Sequence, residues 1–131
     1  MKKRTRVVLI SLGLLVALGI AGGIVISRMV DRFSTYLDTV EIIPVDISAV
    51  GDGTYRGMVD TGVILVELEA RIENHRIVDI RLLQHRNGQG EKAVRIIPRI
   101  LEEQRIDVDT ITGATYSSLV IQDALSRALR Q

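Results

Sequence analysis

From Val7 to Ser27 the chain runs 21 residues without a charged side chain. As a helix rising 1.5 Å per residue, that run is about 31 Å long, enough to cross the hydrocarbon core of a bilayer. Backbone amides in lipid have no water to bond, so a spanning segment of this kind must be helical. Lys2, Lys3, Arg4 and Arg6 precede it with no acid among them, and Arg28-Met29-Val30-Asp31-Arg32 follows it. This charge asymmetry predicts residues 1–6 as a cytoplasmic tail, residues 7–27 as a transmembrane helix, and the remainder on the extracytosolic side of the cell membrane. Cleaved signal peptides have an apolar core of about 7 to 15 residues and a small-residue cleavage site. The run here is longer and no Ala-x-Ala site follows, so it reads as an uncleaved, single-pass signal anchor. Gly19 and Gly23 add a GxxxG spacing of the type that packs against another helix, although glycine is common in such spans.

The formal charge of +1 conceals a division along the chain. All 16 acids lie beyond residue 27 with 13 of the 17 bases, so the part after the span carries 13 − 16 = −3. With one Phe, three Tyr, no Trp and no basic patch interleaved with aromatics, nucleic acid is excluded as a partner. The absence of cysteine excludes disulfides, thiolate metal sites, iron–sulfur clusters and lipid attachment through an N-terminal Cys. His75 and His85 have no ligand spacing between them, and no metal site is expected. His75, in a polar turn, reads as solvated.

At 131 residues there is room for one small domain besides the span. Residues 28–50 read as a connector, in which Phe33, Tyr36, Leu37 and Val40 continue as a short interfacial helix that Pro44 stops. Residues 51–131 read as an α+β domain. Gly51-Asp52-Gly53 is a turn and Thr54 to Val59 a strand. Ile64, Val66, Leu68, Ala70 and Ile72 alternate with Glu67, Glu69, Arg71 and Glu73, a strand with one apolar face. Glu73-Asn74-His75-Arg76 turns the chain into a second alternating run, with Val78, Ile80 and Leu82 against Asp79 and Arg81. Ala93, Ile96, Ile97, Ile100 and Leu101 then carry helical spacing, with a kink or break expected at Pro98. A second helix of about 14 residues follows from Ile121, Ala124, Leu125 and Ala128, widened by Val120 and Leu129. The expected architecture is a small antiparallel sheet with two helices packed on one face, preceded by the transmembrane helix.

Directly before that last helix stands Asp109-Thr110-Ile111-Thr112-Gly113-Ala114-Thr115-Tyr116-Ser117-Ser118. Amides at a helix N-terminus lack intrahelical partners and the aligned peptide dipoles favour an anion there, so a phosphate is cheaply held at such a place. Gly113 and Ala114 leave room for close backbone approach. Thr115 or Ser117 also qualifies as an ordinary N-cap, a role that needs no ligand at all.

The order of these residues resembles the flavin-attachment sequence of the FMN-binding domain family, shared by small extracytosolic flavoproteins and by the NqrC and RnfG subunits of ion-pumping redox complexes. The family pattern reads Asp-x-x-Ser/Thr-Gly-Ala-Thr-x-Ser/Thr, and Asp109, Thr112, Gly113, Ala114, Thr115 and Ser117 match each fixed position. Asp52-Gly53-Thr54-Tyr55-Arg56-Gly57 resembles the family's opening strand. Ile77 to His85 resembles a later strand, and Gly88-Gln89-Gly90-Glu91-Lys92-Ala93 the Gly-rich entry to a helix. The resemblance thus spans about residues 51–131. It departs at Arg86-Asn87-Gly88-Gln89-Gly90, where the family more often has Thr-Pro-Gly.

The resemblance implies FMN as cofactor, esterified through its phosphate to the Thr115 hydroxyl by a separate, FAD-using flavin transferase. A secondary alcohol has no special nucleophilicity, and no grouping that would activate it is visible in the chain. The resemblance further implies Thr112 and Ser117 as hydrogen-bond donors to the phosphate, within a cradle formed by residues 112 to 118, Tyr116 and Ser118 included. His85, Gly88 and Gly90 are candidates for the flavin-ring side. The two glycines equally suit a plain strand-to-helix turn. Without a dinucleotide-binding glycine fingerprint the chain reads as an electron carrier or redox-complex subunit with no catalytic residues of its own. It would exchange electrons with membrane or extracytosolic partners while anchored in lipid. Two alternatives are a module holding FMN or another phosphate ligand non-covalently, and a structural or assembly membrane protein without cofactor.

Overall fold

The computed structural model describes residues 2–86, 88 and 90–131. A 37-residue helix α1 (Lys3–Thr39) is followed by a short 3-10 turn (Ile47–Ala49), strands β1 (Gly53–Asp60), β2 (Leu65–Glu73) and β3 (Arg76–Arg86), and helices α2 (Gly90–Ala93), α3 (Ile96–Glu103) and α4 (Thr115–Leu129). The strands form one antiparallel sheet in the order β1-β2-β3. Helix α4 lies across β1 and β2, and α3 lies against β3. The α+β architecture expected from the periodicities is the one observed.

The β2–β3 hairpin closes on Asn74 and His75, both with positive φ, at 51° and 57°. Two left-handed residues in succession are the signature of the type I′ turn, whose twist suits a two-residue hairpin. On β2 the expected apolar face is the buried one: Val66, Leu68, Ala70 and Ile72 are fully enclosed. They meet Val120, Ile121, Ala124 and Leu125 of α4 and Ile96 and Ile100 of α3 in one core. Each Val, Leu or Ile among them taken wholly out of water contributes about 1.5–3 kcal/mol. Helix α4 approaches β1 closely at Gly57, where a Cβ would run into the carbonyl oxygen of Ala124.

On β3 simple alternation fails twice. Arg71 pairs with Asp79 but Ile72 with Ile77, so Val78 is skipped; Glu67 pairs with Gln84 but Leu68 with Leu82, so Leu83 is skipped. Both skipped residues are 39 % exposed. The expectation that Val78 shares the inner face with Ile80 is therefore corrected, and Ile77 takes that place. Each bulge shifts the phase of the strand by one residue and re-aims everything beyond it.

The helix before α4 also differs from expectation. Pro98 does not kink it; α3 contains Pro98 in its first turn, and the break falls upstream between α2 and α3, at residues 94–95. A proline ring clashes with the carbonyl four residues earlier, here that of Val94, and needs no N–H in a first turn. Val94 instead accepts a tighter bond from the Ile97 amide at 3.0 Å. Gln104 then ends α3 in a left-handed conformation, and its side-chain amide pairs with the Ile77 amide and carbonyl at 2.8 and 2.9 Å, in the manner of another strand.

Helix α1 is apolar enough over its length to cross a membrane, and none of its residues is buried. Its last turns do more than bridge. Phe33 and Tyr36 pack against the core, and the Tyr36 hydroxyl donates to Asp123 at 3.0 Å. The helix runs unbroken to Thr39 and is capped at Val40, so Pro44 is not its stop. Its last turns touch α4 through Tyr36 and Phe33. Extended chain follows, held where Ser126 Oγ donates to the Ile43 carbonyl at 3.0 Å, and Ile47 and Val50 enter the core.

Candidate functional site

The segment between α3 and α4 is led back over the core by buried polar groups rather than by regular structure. Gln122, inside α4, donates from Nε2 to the carbonyls of Ile106 and Val108 at 2.8 and 2.7 Å. An amide so deep in the core must be satisfied, and these two bonds hold the loop to the helix. The chain then makes a turn from Ile111 to Ala114, closed by an Ala114 N–H to Ile111 carbonyl bond of 2.9 Å. Gly113 sits at its third position with φ +80°, the conformation a type II turn demands there and the reason for a glycine. Ser118 Oγ accepts from the Ile111 amide at 3.2 Å, tying the turn to the first coil of α4.

This turn delivers Thr115 to the first position of α4. The N-cap is Ala114, with no side-chain capping bond, so neither Thr115 nor Ser117 caps the helix. The first intrahelical bond runs from the Ser118 amide to Ala114, which leaves the Thr115 and Tyr116 amides without an intrahelical carbonyl. Thr115 is exposed. An accessible hydroxyl thus stands beside an uncapped helix terminus.

The other predicted residues separate into three groups. Gly113, Ala114, Thr115, Tyr116 and Ser117 line a pocket of about 110 Å³ together with Gly88 and Ile64. Gly88 belongs there through packing, since with φ +71° a Cβ on it would overlap the Ser117 hydroxyl and press on Ile64. Thr112 is exposed in the turn beside this pocket, and Ser118 is buried with its hydroxyl bonded to the loop. His85 and Gly90 form a separate contact, in which a Cβ on Gly90 would lie 2.8 Å from His85 Nδ1. Asn87 and Gln89, within the Gly-rich segment, lie outside the described residues.

The Leu83 bulge decides where His85 points. Without it, alternation from Ile80 and Leu82 would turn Gln84 inward; with it, His85 pairs with Val66 on the inner face. Burial pushes its imidazole below the usual histidine value, opposed by its own backbone hydrogen bond. Its Nε2 is buried and has no partner among the described residues. A neutral ring with one unspent nitrogen is the result.

Two residues escaped the sequence reading. Lys92 extends its ammonium to 3.6 Å from where a Cβ on Gly113 would be. Its signal in the sequence is that it is the sole lysine beyond the span. Phe33 meets Tyr116 edge to face, with ring centroids 5.7 Å apart and planes at 88°. Its position in a connector carried no such signal.

A family model described as an FMN-binding domain matches residues 61–130, more than half of the chain. The chain belongs to the FMN-binding domain family. Comparison with curated proteins and with solved structures returned no match. FMN is accordingly the cofactor of this flavin-binding domain. The residues present fit the phosphate end of that group: an open helix terminus, an accessible hydroxyl, a glycine turn and a nearby ammonium. Pockets that enclose drug-sized ligands run to about 300–1,000 Å³, so the volume bounded by the described residues takes a phosphate but does not enclose a three-ring system.

Proposed function

We propose that this chain is a membrane-anchored, extracytosolic electron carrier whose FMN is esterified through its phosphate to Thr115. The observation that carries the reading is the accessible Thr115 hydroxyl at the uncapped head of α4, inside the matched FMN-binding domain and in the segment that resembles the family's attachment motif. In maturation, the Thr115 oxygen attacks the FMN-side phosphorus of FAD. A phosphoester bond forms, the pyrophosphate bond breaks, AMP leaves, and the hydroxyl proton passes to a base on the flavin transferase. That enzyme must supply the base, because among the described residues no histidine, carboxylate or lysine lines the pocket.

The small pocket favours a covalent link over simple binding. Burial of ring surface is what retains a non-covalent flavin, and little of it is offered by the described residues. The bound flavin supplies one- and two-electron redox chemistry. The protein's part is to hold the phosphate, orient the attached group against the head of α4, and keep His85 neutral beside Gly90.

Anchoring through α1 is supported by its length and hydropathy, and the basic tail before it favours a cytoplasmic N-terminus. Phe33, which touches Tyr116, stands six residues beyond Ser27, about 9 Å along a helix. A flavin at Thr115 would then sit close to the lipid surface, at raised effective concentration toward membrane redox partners.

The test is co-expression of the full chain with a flavin transferase, followed by intact-mass measurement and in-gel fluorescence after denaturation. The wild type gains the mass of FMN less one water and fluoresces, and Thr115→Ala does neither. A wild type of unmodified mass under these conditions overturns the covalent reading.

A further inference from the structure

Beyond Ser27 the chain carries twelve arginines and one lysine, Lys92. The ammonium of that lysine rests over the glycine of the phosphate turn, at an ordinary van der Waals distance of 3.6 Å from a Cβ placed on Gly113. The helix that bears it, α2, is pressed against the head of α4, and Gly88 just before it touches Ser117. None of the ion pairs or side-chain hydrogen bonds among the described residues engages Lys92. An exposed ammonium thus stands beside the glycine turn that lines the pocket, carried by a helix packed on α4 and engaged in no ion pair among the described residues.

The surroundings make that charge consequential. The part of the chain after the span is net negative, so a phosphodiester placed at Thr115 enters an unfavourable field unless a positive group stands close. Two backbone amides at the head of α4 supply partial charge only. Lysine is the suitable cation here. Its compact ammonium fits over a residue without a side chain, where a planar guanidinium needs a wider, two-point partner.

On the reading that FMN is esterified at Thr115, we infer that Lys92 is the positioning cation of the phosphate. It would pair with the phosphodiester from α2 and so tie α2 to α4 once the flavin is attached. The apoprotein has no such tie. Lys92 therefore stabilises the flavinylated chain selectively, which a merely structural lysine would not do.

The experiment measures Tm for the full chain in detergent, with and without covalent flavin, for wild type, Lys92→Met and Lys92→Arg. Intact mass confirms loading in each flavinylated sample. In wild type the flavinylated form melts above the apoprotein, and raising ionic strength narrows the difference. In Lys92→Met the apoprotein melts as wild type does, while most of the gain on flavinylation and its salt dependence disappear. Lys92→Arg, which keeps the charge, restores part of the gain. If wild type and Lys92→Met show the same gain with the same salt dependence, the inference is overturned while covalent attachment stands. If wild type never gains flavin mass, the covalent reading and the role given to Lys92 fall together.

Discussion

The two ends of the candidate flavin site are built on opposite principles. The end proposed to hold the phosphate is made of backbone: a type II turn, an uncapped helix terminus and a glycine at φ +80°, with the exposed Thr115 hydroxyl at its head. The end near β3 and α2 is made of side-chain packing, where Gly88 meets Ser117 and Gly90 meets His85. Backbone geometry follows from residues adjacent in sequence, so the phosphate end can be written in one short motif. Packing geometry depends on residues far apart, so the other end tolerates a different sequence, Arg86-Asn87-Gly88-Gln89-Gly90, in place of the family's more usual one.

The sharpest way to break this division is at the seam where the two ends touch. Gly88→Ala adds a methyl that collides with Ser117 and Ile64, at a residue whose φ is already left-handed. Overpacking and backbone strain add, so a loss of about 2–4 kcal/mol in chemical denaturation of the full chain is expected. An unchanged midpoint would mean that the ends are not coupled there. Gly113→Ala meets only the end of a flexible lysine at 3.6 Å, so the backbone term stands alone, about 1–2 kcal/mol. Flavin loading should fall with it, because the turn that presents Thr115 is disturbed. Thr115→Ala is the control in the same turn. It removes an exposed side chain that caps nothing, so stability should change by less than about 0.5 kcal/mol while covalent flavin is lost entirely.

The smallest effect belongs to His85. Burial lowers its folded value below that of the unfolded chain, so the unfolded state takes up a proton first as pH falls. This residue's contribution is complete above about pH 6.5 and is lost progressively below it. His85→Gln should flatten that part of the stability–pH profile and leave the neutral-pH midpoint nearly unchanged. An equally steep acid limb in the variant would show that His85 is not the group responsible.

Docking of α1 belongs to the same comparison. Phe33→Ala removes an edge-to-face contact worth about 0.5–1.5 kcal/mol beyond its buried area, and it does so against the phosphate end. A flavin held near the membrane by this contact should exchange electrons more slowly with a membrane partner in the variant. Loading at Thr115 should remain normal.

Much was legible in advance because it is local. The uncharged run of α1, the alternating face of β2, the hairpin turn and the apolar stripe of α4 all follow from residues within a few positions of one another. The Thr112-Gly113-Ala114-Thr115 segment was legible for the same reason. What escaped was decided across the fold. The bulges at Val78 and Leu83 arise because β3 must match a partner strand of different phase, and only they determine that His85, rather than Gln84, faces inward. The break before α3 is the exception: it is local, and sits upstream of Pro98 because the ring's clash falls on a carbonyl one turn earlier.

By itself, then, the order of residues dictated an apolar helix, one hairpin, two amphipathic helices and a threonine at the start of the last one. Short-range sterics and the separation of apolar from polar side chains are sufficient for that. Only the tertiary structure brought Lys92 over Gly113, Gly88 against Ser117 and Phe33 onto Tyr116. Such meetings depend on how one shared core aligns elements that are distant along the chain, and no local pattern records that alignment.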